Sequence, residues 1–370
     1  MRIGFDAKRA FYNHSGLGNY SRSTIEILAK YHPHGEYFLF TPSLKKSIPF
    51  PIAEKLKIVE PQSFIDKTFS SYWRTFRLSK EIKKAKIDLY HGLSGELPYN
   101  AERGSCRMLV TIHDLIFMRY PEFYKRIDRE VYRQKAEYAC READKIIAIS
   151  EQTKSDIIRF FDVNEEKIEL VYQGCNTIFQ KEISPEQKIK AVNKYKLPPH
   201  YVLNVGTVEK RKNSLLILKA IHEGKIDTSL VIVGKWTKYQ EDLIAYAEEH
   251  DLQERLVIIN DIDFADLPAV YAQAEIFIYP SFFEGFGIPI IEAMFCKVPV
   301  ITTRGGVFSE TGGFSSLYVD VQNVEEMIDA MKKVLSQPDL QKKMSEEGYR
   351  YVQKFRDEEI AGNLAEVYQY

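Results

Sequence analysis

The sequence is poor in the features that mark specialised classes of chain. Its 370 residues include 4 cysteines, at Cys106, Cys140, Cys175 and Cys296, too widely scattered for a zinc ligand pair or a disulfide framework. Isolated thiols of this kind pack as small apolar side chains. No apolar run approaches the roughly 18 residues that a spanning helix needs. No basic stretch with an apolar core behind it opens the chain, so no signal peptide is read there and a cytoplasmic location is expected. With 19 Gly and 15 Pro, collagen and low-complexity classes are excluded. Neither sign of charge dominates: 51 Lys+Arg face 52 Asp+Glu, a net charge of −1. What is present is 45% hydrophobic and 28% charged, a globular mixture long enough for two domains. The near-neutral balance hides an asymmetry. Residues 1–180 hold 29 Lys+Arg against 23 Asp+Glu, or +6, and residues 181–370 hold 22 against 29, or −7.

Short β-rich apolar runs alternate with helical patterns through most of the chain. Strands are expected at 2–5, 37–41, 57–59, 88–90, 108–112, 145–149 and 169–172, then at 201–205, 230–233, 256–259, 276–279 and 298–302. Runs such as VLNVG, LVIVG and EIFIY are apolar nearly throughout, as expected when both faces of a parallel sheet are covered. The pattern predicts an α/β chain of two doubly wound domains. The boundaries are placed at 1–184, 185–355 and a terminal helix, 356–370, packing back on the first domain. Two such domains facing each other would set a ligand cleft at the carboxyl ends of their strands.

Three segments carry the chemistry. Gly16-Leu17-Gly18-Asn19-Tyr20 follows the first strand and precedes a helix expected near Ser21; it reads either as a phosphate-approaching loop or as a plain turn. Gly206-Thr207-Val208-Glu209-Lys210-Arg211-Lys212-Asn213 follows a strand and opens a helix. Its cations would neutralise a diphosphate, or else form a solvated basic turn. In Glu284-Gly285-Phe286-Gly287-Ile288-Pro289-Ile290-Ile291-Glu292, Pro289 fits only a first helical turn, so the helix should start near Phe286 or Gly287. Glu284 then lies in the loop and Glu292 about two turns inside. A buried carboxylate needs donors, and sugar hydroxyls supply them; a solvated helix residue is the alternative for Glu292.

Together these segments resemble the family 4 retaining glycosyltransferases. The likeness takes in the glycine loop, His113-Asp114, Ser150-Glu151-Gln152-Thr153, Gly206 through Asn213, and the Glu284–Glu292 pair with its seven-residue spacing. The resemblance implies a GT-B fold of two Rossmann-like domains. It further implies Arg211 and Lys212 on the donor diphosphate, Glu292 on ribose hydroxyls, and Glu284 on the donor sugar with backbone N–H groups of Phe286, Gly287 and Ile288. By the same likeness Gly206 would belong to the donor site, Gly16 and Gly18 would close over the phosphates from the other domain, and His113 would contact the transferred sugar near its reacting carbon. Many relatives carry Arg where Thr207 stands, so here the phosphate charge would rest on Arg211 and Lys212.

Without the resemblance His113 reads as structural, and with it as a donor contact; His91, at another strand end, is a second cleft candidate. Asp261-Ile262-Asp263 has the form of a metal-binding D-x-D, but Asp263 reads better as the N-cap of a helix near Phe264, and the stretch would lie beside the nucleotide base. No metal and no other cofactor is expected. On a helix read at 72–86, Leu78, Ile82 and Ala85 form a core stripe. Arg77, Lys80, Lys83 and Lys84 share the other side with Trp73 and Phe76. That face (73–84) suits an anionic membrane surface, or is simply solvated; no nucleic-acid motif accompanies it. The expected activity is retaining, metal-independent transfer of a hexose from a nucleotide diphosphate sugar, mannose from GDP-mannose being preferred. The acceptor would be a glycan or lipid-linked saccharide in surface polysaccharide synthesis, at the inner face of the cell membrane. A UDP-hexose donor and a non-catalytic sugar-nucleotide-binding protein are the alternatives.

Overall fold

The apolar runs become strands buried on both faces in the computed structural model, which describes residues 1–14, 16–44, 55–99 and 106–369. The chain divides into two units. One holds Met1–Gly174 with the C-terminal helix Asp357–Gln369, and the other holds Cys175–Arg356. In the first, β1 (Arg2–Asp6), β2 (Glu36–Phe40), β3 (Leu56–Val59), β4 (Leu89–Gly92), β5 (Arg107–Ile112), β6 (Lys145–Ala148) and β7 (Ile168–Leu170) form one sheet. Its order is β3-β2-β1-β4-β5-β6-β7. In the second, β8 (Tyr201–Val205), β9 (Ser229–Val233), β10 (Leu256–Ile259), β11 (Ile276–Tyr279), β12 (Val300–Thr303) and β13 (Leu317–Val319) are ordered β10-β9-β8-β11-β12-β13. Every neighbouring pair is parallel.

The sequence order of the strands reverses once across each sheet, between β1 and β4 and between β8 and β11. At such a point the connections leave on opposite faces and open a crevice at the carboxyl ends of the two strands. The crevice of the second sheet holds the charged side chains described below.

Five expectations require correction. The division falls after Gly174 rather than at 184, because Phe179 is buried with its ring 5.7 Å from that of Tyr271 in the second unit. Its other limit lies between Arg356 and Asp357. The helix expected near Ser21 begins at Gly16 and runs to Tyr31, so Gly16 and Gly18 lie in its first turn and not in a loop. Gly18 is there for a close approach: a Cβ on it would lie 1.8 Å from the Asn13 carbonyl oxygen.

Trp73 does not share a face with the lysines. The helical segment winds as Ser70–Tyr72, a π-helical turn Trp73–Arg77, and Leu78–Lys84. The wider turn shifts the phase by one position and buries Trp73 in the core beside Leu78 and Ile82. Tyr72, Phe76, Arg77 and Lys80 of this segment are exposed, as are Phe64, Ile65 and Phe69 just before it. The helix expected near Phe264 starts at Leu267, set by Pro268 in its first turn; Asp263 accepts from the Ala265 N–H at 3.0 Å just before it. β13 was not anticipated.

The C-terminal helix is tied to the first sheet. Tyr368 presents its hydroxyl 2.5 Å from His91 Nδ1, and Arg107 donates to the Tyr368 carbonyl at 2.6 Å. His91 Nε2 lies 2.7 Å from Thr111 Oγ1. Burial pushes the His91 pKa down to about 3, with His113 adding to the effect. A neutral ring sealed between two hydroxyls is a structural histidine.

Candidate active site

Gly206 leaves the end of β8, and the segment carrying Glu284 leaves the end of β11, so the two flank the crevice of the second sheet. Arg211 and Lys212 sit on a single 3-10 turn, Lys210–Lys212, ahead of the helix Ser214–Glu223. That turn is held by the Phe282 N–H donating to the Arg211 carbonyl at 3.0 Å. One carboxylate oxygen, Glu284 Oε1, is 2.9 Å from Arg211 Nη1 and 2.6 Å from Lys212 Nζ. Lys212 Nζ also lies 2.6 Å from the Tyr279 hydroxyl, and Glu209 takes the other guanidinium nitrogen of Arg211 at 2.7 Å. A Cβ on Gly206 would sit 3.4 Å from Lys212 Cε, so the bare backbone passes beside that side chain.

The electrostatics follow from burial against pairing. Burial opposes charge on all three groups. For Glu284 the nearby Lys212 and Arg211 outweigh it and hold the carboxyl below its usual range. For Arg211, Glu284 and Glu209 outweigh it and raise the pKa further. For Lys212 burial wins, and the ammonium is easier to deprotonate than an exposed lysine despite Glu284.

Gly287, at φ +105°, is the N-cap of the helix Ile288–Phe295. A side chain would be strained in that conformation. Ile288 opens the first turn, where helical geometry leaves N–H groups without intrahelical acceptors. Phe286 is buried, its ring 5.7 Å from Phe355. Glu292 falls little more than one turn into the helix and stands apart from the Glu284 cluster. It accepts from the Tyr271 hydroxyl at 2.9 Å, and burial, partly offset by that bond, pushes its pKa up to about 7.

In the first unit His113 follows β5. Its Nε2 lies 2.8 Å from the Leu93 carbonyl, which can only accept, so the proton is on Nε2 and Nδ1 is left as an acceptor. The Gln173 amide nitrogen is 3.4 Å from Nδ1, and the Tyr20 ring meets the imidazole edge-on at 4.5 Å. The helix Glu151–Phe161, capped by Ser150, holds the backbone here: Thr153 Oγ1 donates to the His113 carbonyl at 3.1 Å. Burial, with Arg9 adding to it, lowers the His113 pKa to about 4 although the Leu93 bond opposes the shift.

Sequence reasoning missed Tyr279, Tyr271 and Glu209, which set the positions of the cations and of Glu292. The tyrosines had only a faint signal, each lying at or near the end of a buried apolar run. Among the described residues no three His, Cys, Asp or Glu side chains come together as a metal-binding group.

Two parallel Rossmann-like sheets, one with a buried cation–carboxylate cluster at its switch point, define a GT-B glycosyltransferase. The comparisons agree. The model described as Glycosyltransferase Family 4 matches residues 15–179, and that described as Glycosyl transferases group 1 matches 185–351. The chain belongs to family 4 of the glycosyltransferases. It is 28% identical over 350 residues to O-antigen chain mannosyltransferase B of Escherichia coli, covering 88% of each chain. It is 30% identical over 204 residues to N-acetylgalactosamine-N,N'-diacetylbacillosaminyl-diphospho-undecaprenol 4-alpha-N-acetylgalactosaminyltransferase of Campylobacter jejuni, 54% of this chain and 53% of that one. Among solved structures, Anabaena HepE in complex with UDP and glucose superposes with a TM-score of 0.74 at 17% identity, over 100% of this chain and 99% of that one. No described helix is long and apolar enough to cross a membrane.

Proposed function

We propose that this chain is a retaining, metal-independent hexosyltransferase that moves mannose from GDP-mannose to a glycan or lipid-linked saccharide in surface polysaccharide synthesis. The observation that carries the reading is the Glu284 carboxylate bridging Arg211 and Lys212 at the switch point of the second sheet. Glu284 occupies the place that an anion takes between two cations. A donor diphosphate exchanges with it there, and the released carboxylate accepts from hydroxyls of the donor sugar. The acceptor oxygen then attacks the anomeric carbon on the face from which the diphosphate leaves. The C–O bond to phosphate breaks as the new glycosidic bond forms, and the acceptor proton passes to a diphosphate oxygen. Arg211, Lys212 and the N–H groups at Gly287–Ile288 stabilise the charge that grows on the leaving group. Neutral His113 contributes a hydrogen-bonding edge rather than a positive charge. The E. coli relative, a mannosyltransferase, supports the choice of sugar. Work at the inner face of the membrane fits the exposed aromatic residues Phe64, Phe69, Tyr72 and Phe76 and the exposed Arg77 and Lys80.

The test is a thermal-shift and turnover panel of GDP-mannose, UDP-glucose, UDP-N-acetylglucosamine and UDP-galactose, with and without EDTA. GDP-mannose should raise Tm most, and EDTA should leave turnover unchanged. A larger shift with a UDP-sugar overturns the donor, and EDTA-sensitive turnover returns the metal reading to Asp261 and Asp263. Donor binding with no transfer marks a binding protein.

Glu292 gives a second expected result. Its folded pKa of about 7 lies above the ordinary carboxyl value, so the folded state holds its proton more tightly than the unfolded state. Stability from this group is therefore present at low pH and is lost as pH rises from the ordinary carboxyl pKa to about 7. Glu292→Gln should match the parent's Tm at pH 5 and exceed it at pH 8. The same change should weaken donor binding at pH 8 by about 1.5–3 kcal/mol. Equal Tm differences at both pH values would remove the buried carboxylate, and unchanged calorimetric affinity would remove Glu292 from the site.

A further inference from the structure

His113 is held so firmly that its remaining polar atom points one way. Its Nε2 proton goes to the Leu93 carbonyl at 2.8 Å, and Thr153 Oγ1 donates to its own carbonyl at 3.1 Å. The Tyr20 ring braces it edge-on at 4.5 Å, and Tyr20 is fixed in turn by its hydroxyl, 2.9 Å from Thr111 Oγ1. Burial keeps the imidazole neutral, with a pKa of about 4. The Nδ1 atom therefore carries a lone pair and no proton.

Gln173 reaches that lone pair from another strand. β5 ends at Ile112, just before His113, and β7 ends at Leu170, three residues before Gln173. β6 lies between them, and all three run parallel, so both residues leave the same edge of the sheet. The Val171 N–H donates to the Ala148 carbonyl at 3.0 Å, which carries the β6–β7 pairing to within two residues of Gln173. Sheet order thus joins side chains 60 positions apart.

An unprotonated Nδ1 can only accept, so the Gln173 amide nitrogen, not its oxygen, faces it. At 3.4 Å the bond is long. Gln173 is half-buried, and its amide makes no other hydrogen bond among the described residues. An acceptor and a donor therefore stand side by side on a fixed base. One oxygen can lie about 2.8 Å from both nitrogens, provided that it donates to one and accepts from the other. A hydroxyl does both. A carboxylate would set its charge against the Nδ1 lone pair, and an ammonium would set its protons against the amide N–H.

We propose that Gln173 is a specificity-determining residue that, with His113, reads one hydroxyl of the transferred hexose. The hydroxyl donates to His113 Nδ1 and accepts from the Gln173 amide. This rests on the transferase reading above and adds to it the residue that separates a hydroxyl from a hydrogen at one ring position. A deoxy sugar leaves the pair without its partner, which is how a hydrogen-bonding site rejects an analogue.

The test has two arms on the whole chain. In the first, the His113 ring is titrated by NMR without donor in the parent, Gln173→Leu and Gln173→Glu. A carboxylate facing Nδ1 favours the charged ring, so Gln173→Glu should raise its proton affinity at least about tenfold. Gln173→Leu should not raise it. Equal titration in the parent and Gln173→Glu removes the contact and overturns the proposal.

In the second arm, calorimetry compares GDP-mannose with its 2-, 3-, 4- and 6-deoxymannose analogues. Gln173→Leu should bind GDP-mannose about 5–10-fold more weakly than the parent. It should also erase the penalty for one deoxy position and leave the other penalties at their parental size. Parental affinity in Gln173→Leu, or an equal loss for every analogue, overturns the hydroxyl reader; the second result marks a merely structural residue. If GDP-mannose does not bind the parent, the donor choice falls, and the deoxy series of the donor selected by the panel takes its place. Transfer is measured separately. A chain with the one-position coupling but no transfer keeps the hydroxyl reader and loses the transferase reading. A chain that transfers mannose without that coupling keeps the reading and loses Gln173.

Discussion

Replacing Lys212 with alanine is expected to lower kcat about 10²–10³-fold, the range for removing one group that stabilises transition-state charge. Lys212 is held in place by its neighbours. Its ammonium is buried against Tyr279 and Glu284, so it is fixed in place and has little water to lose when a diphosphate arrives. A cation already desolvated and oriented acts on charge as it develops, with no reorganisation at the moment of bond cleavage. Removing one partner of a buried pair normally strands the other at a cost of about 3–5 kcal/mol. Here Arg211 still holds Glu284 at 2.9 Å, so the variant should fold. Lys212→Arg keeps the charge but changes its geometry, and should fall between the two. The check is single-turnover kinetics beside a melting curve. Near-parental turnover in a folded Lys212→Ala protein would show that the leaving group is stabilised elsewhere.

The candidate site was partly legible because its chemistry lies at strand ends, where short motifs carry both the backbone turn and the charged group. Arg211, Lys212 and Glu284 were readable as residue types, and the β8–β11 switch point brings them together. What could not be read was their mutual pairing. Lys212 and Tyr279 are 67 positions apart, and the Glu292–Tyr271 bond joins two different helices. Only the sheet order decides such meetings. Glu284 illustrates the difference: the family likeness assigns it to sugar hydroxyls, whereas the fold sets its carboxylate between Arg211 and Lys212.

Strand recognition failed where the physical signal is absent. β13 is three residues long, Leu317–Val319, and only Val319 is fully buried. An edge strand this short has too few apolar positions to show a period. The glycine pair failed for a different reason. Gly16 and Gly18 look like a flexible loop, but Gly18 is required by the Asn13 carbonyl packed against the helix start. A close backbone approach and a loop leave the same mark in one sequence.

Trp73 is the sharpest case, and its replacement is the second large expected effect. A uniform 100° per residue puts Trp73 beside Phe76 and the lysines. The π-helical turn over Trp73–Arg77 adds a residue to one turn, and every side chain before it rotates relative to Leu78 and Ile82. Trp73 thereby enters the core, 1% exposed, in the cluster that also holds Phe40, Tyr90 and Leu97. Trp73→Ala should therefore destabilise the first unit by about 3–5 kcal/mol, the usual loss for a large buried aromatic plus the cavity it leaves. Phe76→Ala, on the exposed side of the same turn, should change stability by no more than about 0.5 kcal/mol. Guanidinium unfolding separates the two geometries, since an unbroken α-helix predicts the opposite order.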